Sequence, residues 1–131
     1  MQFVSTRNRK SPVSFEHAVL DCMPSDGGLY VPAGTSDLRR WIMYTGKKTS
    51  FASIAGTLTS AFINDEFSPI ICETIATRAF TFEPALKQLD DNHFMLELFH
   101  GPTGCHRDFG VAYLVSFLET ILQIKGGNAV F

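Results

Sequence analysis

Apolar residues fall in short alternating runs near the start of the chain and at three- to four-residue spacing later on. Phe3-Val4-Ser5 alternates between polar neighbours and predicts a short strand, broken off by Lys10-Ser11-Pro12. Ser14 stands ahead of Phe15-Glu16-His17-Ala18-Val19-Leu20 as a helix N-cap, with His17 where a reciprocal Glu or Gln would usually sit. Phe15 and Val19 share one face of that helix, and Pro24 closes it. Ser25-Asp26-Gly27-Gly28 is turn chemistry, and Leu29-Tyr30-Val31 predicts a strand stopped by Pro32. The segment from Ala33 to Lys48 is polar and irregular except for Leu38, Trp41, Ile42 and Met43, with Trp41 a packing anchor.

The middle of the chain is helical by spacing. Ser50 caps a helix carrying Phe51, Ile54, Ala55, Leu58, Ala61 and Phe62 on one side. Asn64-Asp65-Glu66 interrupts it. Ser68-Pro69 then opens a second helix marked by Ile71, Ile75, Ala79 and Phe82, which should pack antiparallel to the first. Pro84 to Asn92 reads as a loop with an Asp90-Asp91-Asn92 turn. Phe94 to Phe99 is nearly all apolar and predicts a strand inside a sheet. After a Gly/Pro-broken loop, Asp108 to Lys125 predicts a long helix capped by Gly126-Gly127, and Asn128 to Phe131 starts another strand.

Composition narrows the classes. The 131 residues suit one domain, and 45% apolar content with 12 Phe supplies a core. A net charge of −2 and the lack of a basic stripe argue against nucleic acid. The start lacks a signal-peptide pattern, and Ser116, Glu119, Thr120 and Gln123 break the most apolar stretch, so no membrane span is expected. Cys22, Cys72 and Cys105 form neither a Cys-x-x-Cys pair nor an even framework, so no metal site is expected and a reducing cytoplasm is the setting.

Three blocks in order resemble the amino-terminal part of threonine synthase, a pyridoxal-phosphate enzyme. They are Ser5-Thr6-Arg7 with Pro12 to Leu20, then Asp26-Gly27-Gly28-Leu29-Tyr30-Val31-Pro32, then Leu96 to Thr103 continued by Asp108-Phe109-Gly110. Asn64-Asp65-Glu66 falls where the family has a similar acidic break. The resemblance implies an α/β (α+β) fold with a small sheet and about five helices. It implies a single module over 1–131 in which 94–131 resembles the start of the cofactor domain. The family is a carbon–oxygen lyase of threonine biosynthesis that converts O-phosphohomoserine and water to threonine and phosphate. Its Schiff-base lysine comes just before Asp-Phe, where this sequence has Arg107.

That difference is chemical. A Schiff base needs a neutral primary amine, and a guanidinium stays protonated and delocalised. Lys125 lies at the far end of the helix, on the order of 27 Å away at the α-helical rise. The resemblance also places later cofactor-binding segments, including a Ser-Gly-Asp-Thr-Gly loop, beyond Phe131. No catalytic residue and no bound cofactor are therefore expected in this chain, leaving a truncated, pseudoenzyme-like relative. The alternatives are one chain of a split enzyme, or an anion-binding or interaction module.

For an anion, His100, Thr103 and Arg107 are the candidates, because they cluster at a helix start where free N–H groups favour negative charge. His106-Arg107-Asp108-Phe109-Gly110 overlaps two protein-kinase signatures on one Asp, without the required Asn or a Gly-rich loop, which excludes a kinase. Cys105 and His106 are adjacent, which points their side chains apart, and no third group orients them. The helix 108–125 is apolar nearly all round. It predicts an exposed apolar face, covered in a homo-oligomer or by a protein partner.

Overall fold

A computed structural model describes residues 1–43, 45, 46 and 48–126. The elements run β1 (Phe3–Ser5), α1 (Phe15–Asp21), β2 (Tyr30–Pro32), α2 (Arg39–Ile42), α3 (Phe51–Ile63), α4 (Pro69–Ala79), β3 (Ala85–Gln88), β4 (Phe94–Glu97) and α5 (Arg107–Lys125). The class is α+β. The described residues hold five helices, α2 being a single turn within the segment expected to be irregular. The expected strand from Asn128 onward lies outside the described residues.

Three helices begin as their serines predict. Ser14, Ser50 and Ser68 are extended, and each hydroxyl accepts the N–H three residues on, from His17, Ser53 and Ile71 at 3.0, 3.2 and 3.4 Å. Remote carboxylates take further first-turn donors. Glu66 accepts from Phe15 N–H at 2.7 Å and Glu16 N–H at 3.0 Å, and Glu83 accepts from Phe51 N–H at 3.4 Å. The acidic break thus fastens α1 to the α3–α4 corner. Gly126, at φ +69°, ends α5 in the left-handed region that suits glycine.

α4 packs against both α3 and α5, and α5 also meets α1. Gly56 sets the approach of α3 to α4, because a Cβ there would lie 2.7 Å from the Cα of Glu73. Cys72, Ile75 and Ala76 of α4 are completely buried. α5 enters the core along Phe109, Tyr113, Phe117 and Ile121, each four residues from the last. Phe117 and Ile121 are buried with Val19, Ile63, Phe67, Cys72 and Ile75. Phe117 meets Phe15 at a centroid distance of 5.0 Å and Phe67 at 6.1 Å, while Phe109 meets Phe51, Phe80 and Phe82 at 5.6, 6.2 and 4.8 Å. Phe82 lies beyond the end of α4 but is held by this ring contact.

The small-sheet expectation holds: among the described residues the strands form two small antiparallel ribbons, β1–β2 and β3–β4. Other expectations change. The segment 84–92, expected as a loop, contains β3, whose only large apolar residue is Leu86. Phe94 to Phe99 is not interior among the described residues: there β4 pairs with β3 alone, and Phe94, Met95 and Leu96 are 57%, 45% and 56% exposed. An apolar run shows that a strand suits burial, but not what covers it.

The expected apolar helix 108–125 is also corrected. α5 buries two polar residues, Ser116 and Thr120, and the Thr120 hydroxyl donates to the Ser116 carbonyl at 2.8 Å. Its exposed apolar residues Val111, Leu114 and Ile124 do not share one stripe at helical spacing. No described helix is long and apolar enough to cross a membrane.

Two glycines test this packing in opposite directions. Gly56→Ala is expected to destabilise the protein by about 1–2 kcal/mol, because the α4 backbone must move. Gly110→Ala in α5 meets nothing within 4 Å and should stabilise by about 0.5–1 kcal/mol. Urea unfolding of both variants checks this, and equal effects would contradict the close α3–α4 approach.

Candidate functional site

The corner between β4 and α5 is built by its glycines and one aspartate. Gly104 has φ +68°, and its N–H donates to the Gly101 carbonyl at 3.1 Å, closing a tight turn. Beyond the turn, the Asp108 side chain folds back over Gly101, where a Cβ would come within 2.5 Å of it. One Asp108 oxygen accepts from the Thr103 N–H at 2.8 Å, and the other accepts from the Thr103 hydroxyl at 2.6 Å.

The carboxyl is held below its ordinary pKa, first by the Thr103 hydroxyl and then by the Thr103 N–H, with the Arg107 charge adding to both. Asp108 lies in the first turn of α5, where the helix end favours negative charge. The protein's own carboxylate therefore engages the Thr103 donors that an outside anion would use.

A second cluster lies on the other side of the loop. Glu97, only 8% exposed, takes Lys87 Nζ at 2.8 Å on one oxygen and lies 3.2 Å from His100 Nε2 on the other. Lys87 is the first cause of a lowered Glu97 pKa, opposed by desolvation and aided by His100. The sequence reading missed this cluster because it missed β3. With the hairpin recognised, the register Ala85↔Glu97 and Lys87↔Met95 puts Lys87 on the Glu97 face, two pairs along and diagonal to it.

The three anion candidates thus turn to separate partners: His100 to Glu97, Thr103 to Asp108, and Arg107 exposed beside Asp108. No hydrogen bond links any two of the three among the described residues. Cys105 and His106 do not point apart as expected, since Sγ lies 3.8 Å from Nδ1, but no third group orients the imidazole. Among the described residues, no group of three or more His, Cys, Asp or Glu is placed to hold a metal ion.

Among the concavities of the described residues, two lie beside the helical core. One, of about 590 Å³, runs between β1, α1, α3 and α5 and is lined mainly by rings, among them Phe3, Phe15, Phe80, Phe109 and Tyr113. Its hydroxyls, Thr59 and Tyr113, hydrogen-bond each other. The other is polar, but its groups are also mutually engaged. Tyr30 donates to Asp21 at 2.6 Å, which pushes the phenol up to about 12, and Ser5 donates to Asp26 at 2.8 Å. Neither presents a free acid–base pair aimed at a shared point.

Capped helices carrying an α/β-type strand–loop–helix corner, with small antiparallel ribbons beside them, define the class as an α+β fold. Residues 2–80 match the family model described as threonine synthase N terminus. The chain is 30% identical to threonine synthase of Pseudomonas aeruginosa over 99% of its own length and 29% of that protein, and 33% identical to that of Schizosaccharomyces pombe over 98% and 26%. The solved threonine synthase of Escherichia coli superposes with a TM-score of 0.83 at 29% identity, over 92% of this chain and 28% of that one. The pyridoxal-phosphate-bound threonine synthase of Brucella melitensis gives 0.81 at 30% identity, over 96% and 28%. The chain belongs to the threonine synthase family, matching its N-terminal region, and spans under a third of these relatives.

The Thr103–Asp108 clasp makes a pH prediction. The folded-state pKa of Asp108 lies below its ordinary 3.8, so the clasp is fully present above that value and is lost as pH falls through the folded value. Carboxyl NMR should show Asp108 titrating low, with the Thr103 amide shift following it. Thr103→Val should return Asp108 towards its ordinary value; an unchanged titration in that variant would contradict the clasp.

Proposed function

We propose that this chain is a threonine-synthase-like scaffold that does not catalyse the family reaction on its own. The observation carrying this reading is Arg107 ahead of Asp108-Phe109-Gly110, where the resemblance expects the Schiff-base lysine. The residues present do not fit pyridoxal phosphate held in that way. A guanidinium cannot form the imine. Lys87 is engaged by Glu97, and Lys125 pairs with Glu16 at the opposite end of α5. The Thr103 donors face Asp108.

Within this reading, 1–131 is one module, and 94–131 is the beginning of a cofactor domain whose chemistry has lapsed. An anion-binding role for His100, Thr103 and Arg107 is the lesser reading, because Asp108 already engages Thr103 and Glu97 engages His100. We place the module in the cytoplasm, a setting in which its free Cys22, Cys72 and Cys105 stay reduced.

The test is incubation with pyridoxal phosphate, borohydride reduction and peptide mapping, alongside phosphate release from O-phosphohomoserine. The expected outcome is no site-specific adduct and no phosphate. A stoichiometric adduct at one lysine together with phosphate release would overturn the reading.

A further inference from the structure

We infer that Lys87 governs the charge of His100, because the two bases share the nearly buried carboxylate of Glu97 as their one negative partner. The inference stands apart from the family reaction and from any cofactor. Lys87 comes from β3, Glu97 ends β4, and His100 lies in the loop that leads to α5. Lys87 Nζ holds one Glu97 oxygen at 2.8 Å, and His100 Nε2 lies 3.2 Å from the other. Among the described residues, these two are the charged or titratable groups that pair with Glu97. The nearby Asp108 is turned to Thr103 instead.

Burial makes the balance strict. The Glu97 side chain is 8% exposed, whereas those of Lys87 and His100 are 62% and 37% exposed. A carboxylate so little hydrated needs a neutralising partner. The Lys87 ammonium supplies it, and a neutral imidazole serves the second oxygen by donating its Nε2–H, since a carboxylate only accepts. A proton on His100 as well would leave the cluster with surplus positive charge. Lys87 accordingly leads the causes that hold the Glu97 carboxyl below its ordinary range, against desolvation, and His100 adds less. Once Lys87 loses its charge, the imidazole is the group left beside Glu97 that can take up a proton and neutralise it. His100 Nδ1 then changes from an acceptor to a donor. The Phe99 ring, with its centroid 4.7 Å from that of the imidazole, accommodates the cationic form. Lys87 is the exposed member, so a modification that removes its charge acts on the loop without touching it.

The experiment follows the His100 imidazole nitrogens by 15N NMR at neutral pH in the full chain, with a His100→Gln spectrum to assign them. Lys87→Met should raise the ratio of imidazolium to neutral imidazole at His100 by roughly three- to tenfold, up to the ratio that one pKa unit represents. Lys87→Gln, which still donates a hydrogen bond but carries no charge, should raise it by a similar factor. Lys87→Arg should restore the native ratio. In a Glu97→Gln background, Lys87→Met should change the ratio less than about twofold, because no carboxylate is left to neutralise and solvent screens the direct repulsion. Circular dichroism checks that each variant keeps its fold.

An unchanged ratio in Lys87→Met or Lys87→Gln, failure of Lys87→Arg to restore it, or an equally large rise without the Glu97 carboxylate would each overturn the inference. The readout needs no activity. Its failure leaves the absence of independent catalysis standing, and phosphate release by the chain alone would leave the His100 result untouched.

Discussion

The four-residue repeat of Phe109, Tyr113, Phe117 and Ile121 along α5 is the contact on which the structure depends. These side chains stack on one side of the helix because a four-residue step is only slightly more than one α-helical turn. The upper part of the seam gathers Phe51, Phe80 and Phe82, and the lower part gathers Phe15 and Phe67. Aromatic pairs of this kind add about 0.5–1.5 kcal/mol each beyond the area they bury. Removing the seam would leave α1, α3 and α4 without their common partner.

Carboxylates reinforce this arrangement at the helix starts. Glu66 closes the start of α1 from fifty residues away, and Glu83 reaches the start of α3. Both use the positive end of a helix to hold a separate segment. Asp108 acts locally at α5, fixing Thr103 and hence the loop. The corner keeps its shape through this internal contact. Its form can therefore persist with Arg107 in place of an imine-forming amine, because the clasp's hydrogen bonds run between Thr103 and Asp108 and need from Arg107 no more than its charge.

Much of this was legible in the sequence. Ser14, Ser50 and Ser68 marked true caps because the N-cap hydrogen bond is local and needs no knowledge of the rest of the fold. The spacings of α3, α4 and α5 were also visible, since each helix carries its own periodic stripe. What was hidden depended on distant pairing. β3 has one large apolar residue and becomes a strand only opposite β4, so the Lys87–Glu97–His100 cluster could not be assembled from spacing. His100, Thr103 and Arg107 look like joint ligands from their place at a helix start, whereas the folded loop turns Thr103 to Asp108 and His100 to Glu97. The apolar character of Phe94 to Leu96 was read correctly, but its burial was not, because burial depends on a neighbour that the strand's own sequence does not describe.

The seam and the ribbon should therefore differ in stability within one chain. Native-state amide hydrogen exchange across the protein measures this directly. The expected result is strongest protection in α5 around Phe117 and Ile121 and in α4 around Cys72 and Ile75, with β3 and β4 opening far more readily. Protection of Leu86, Met95 and Leu96 equal to that of Phe117 in the isolated monomer would contradict the account.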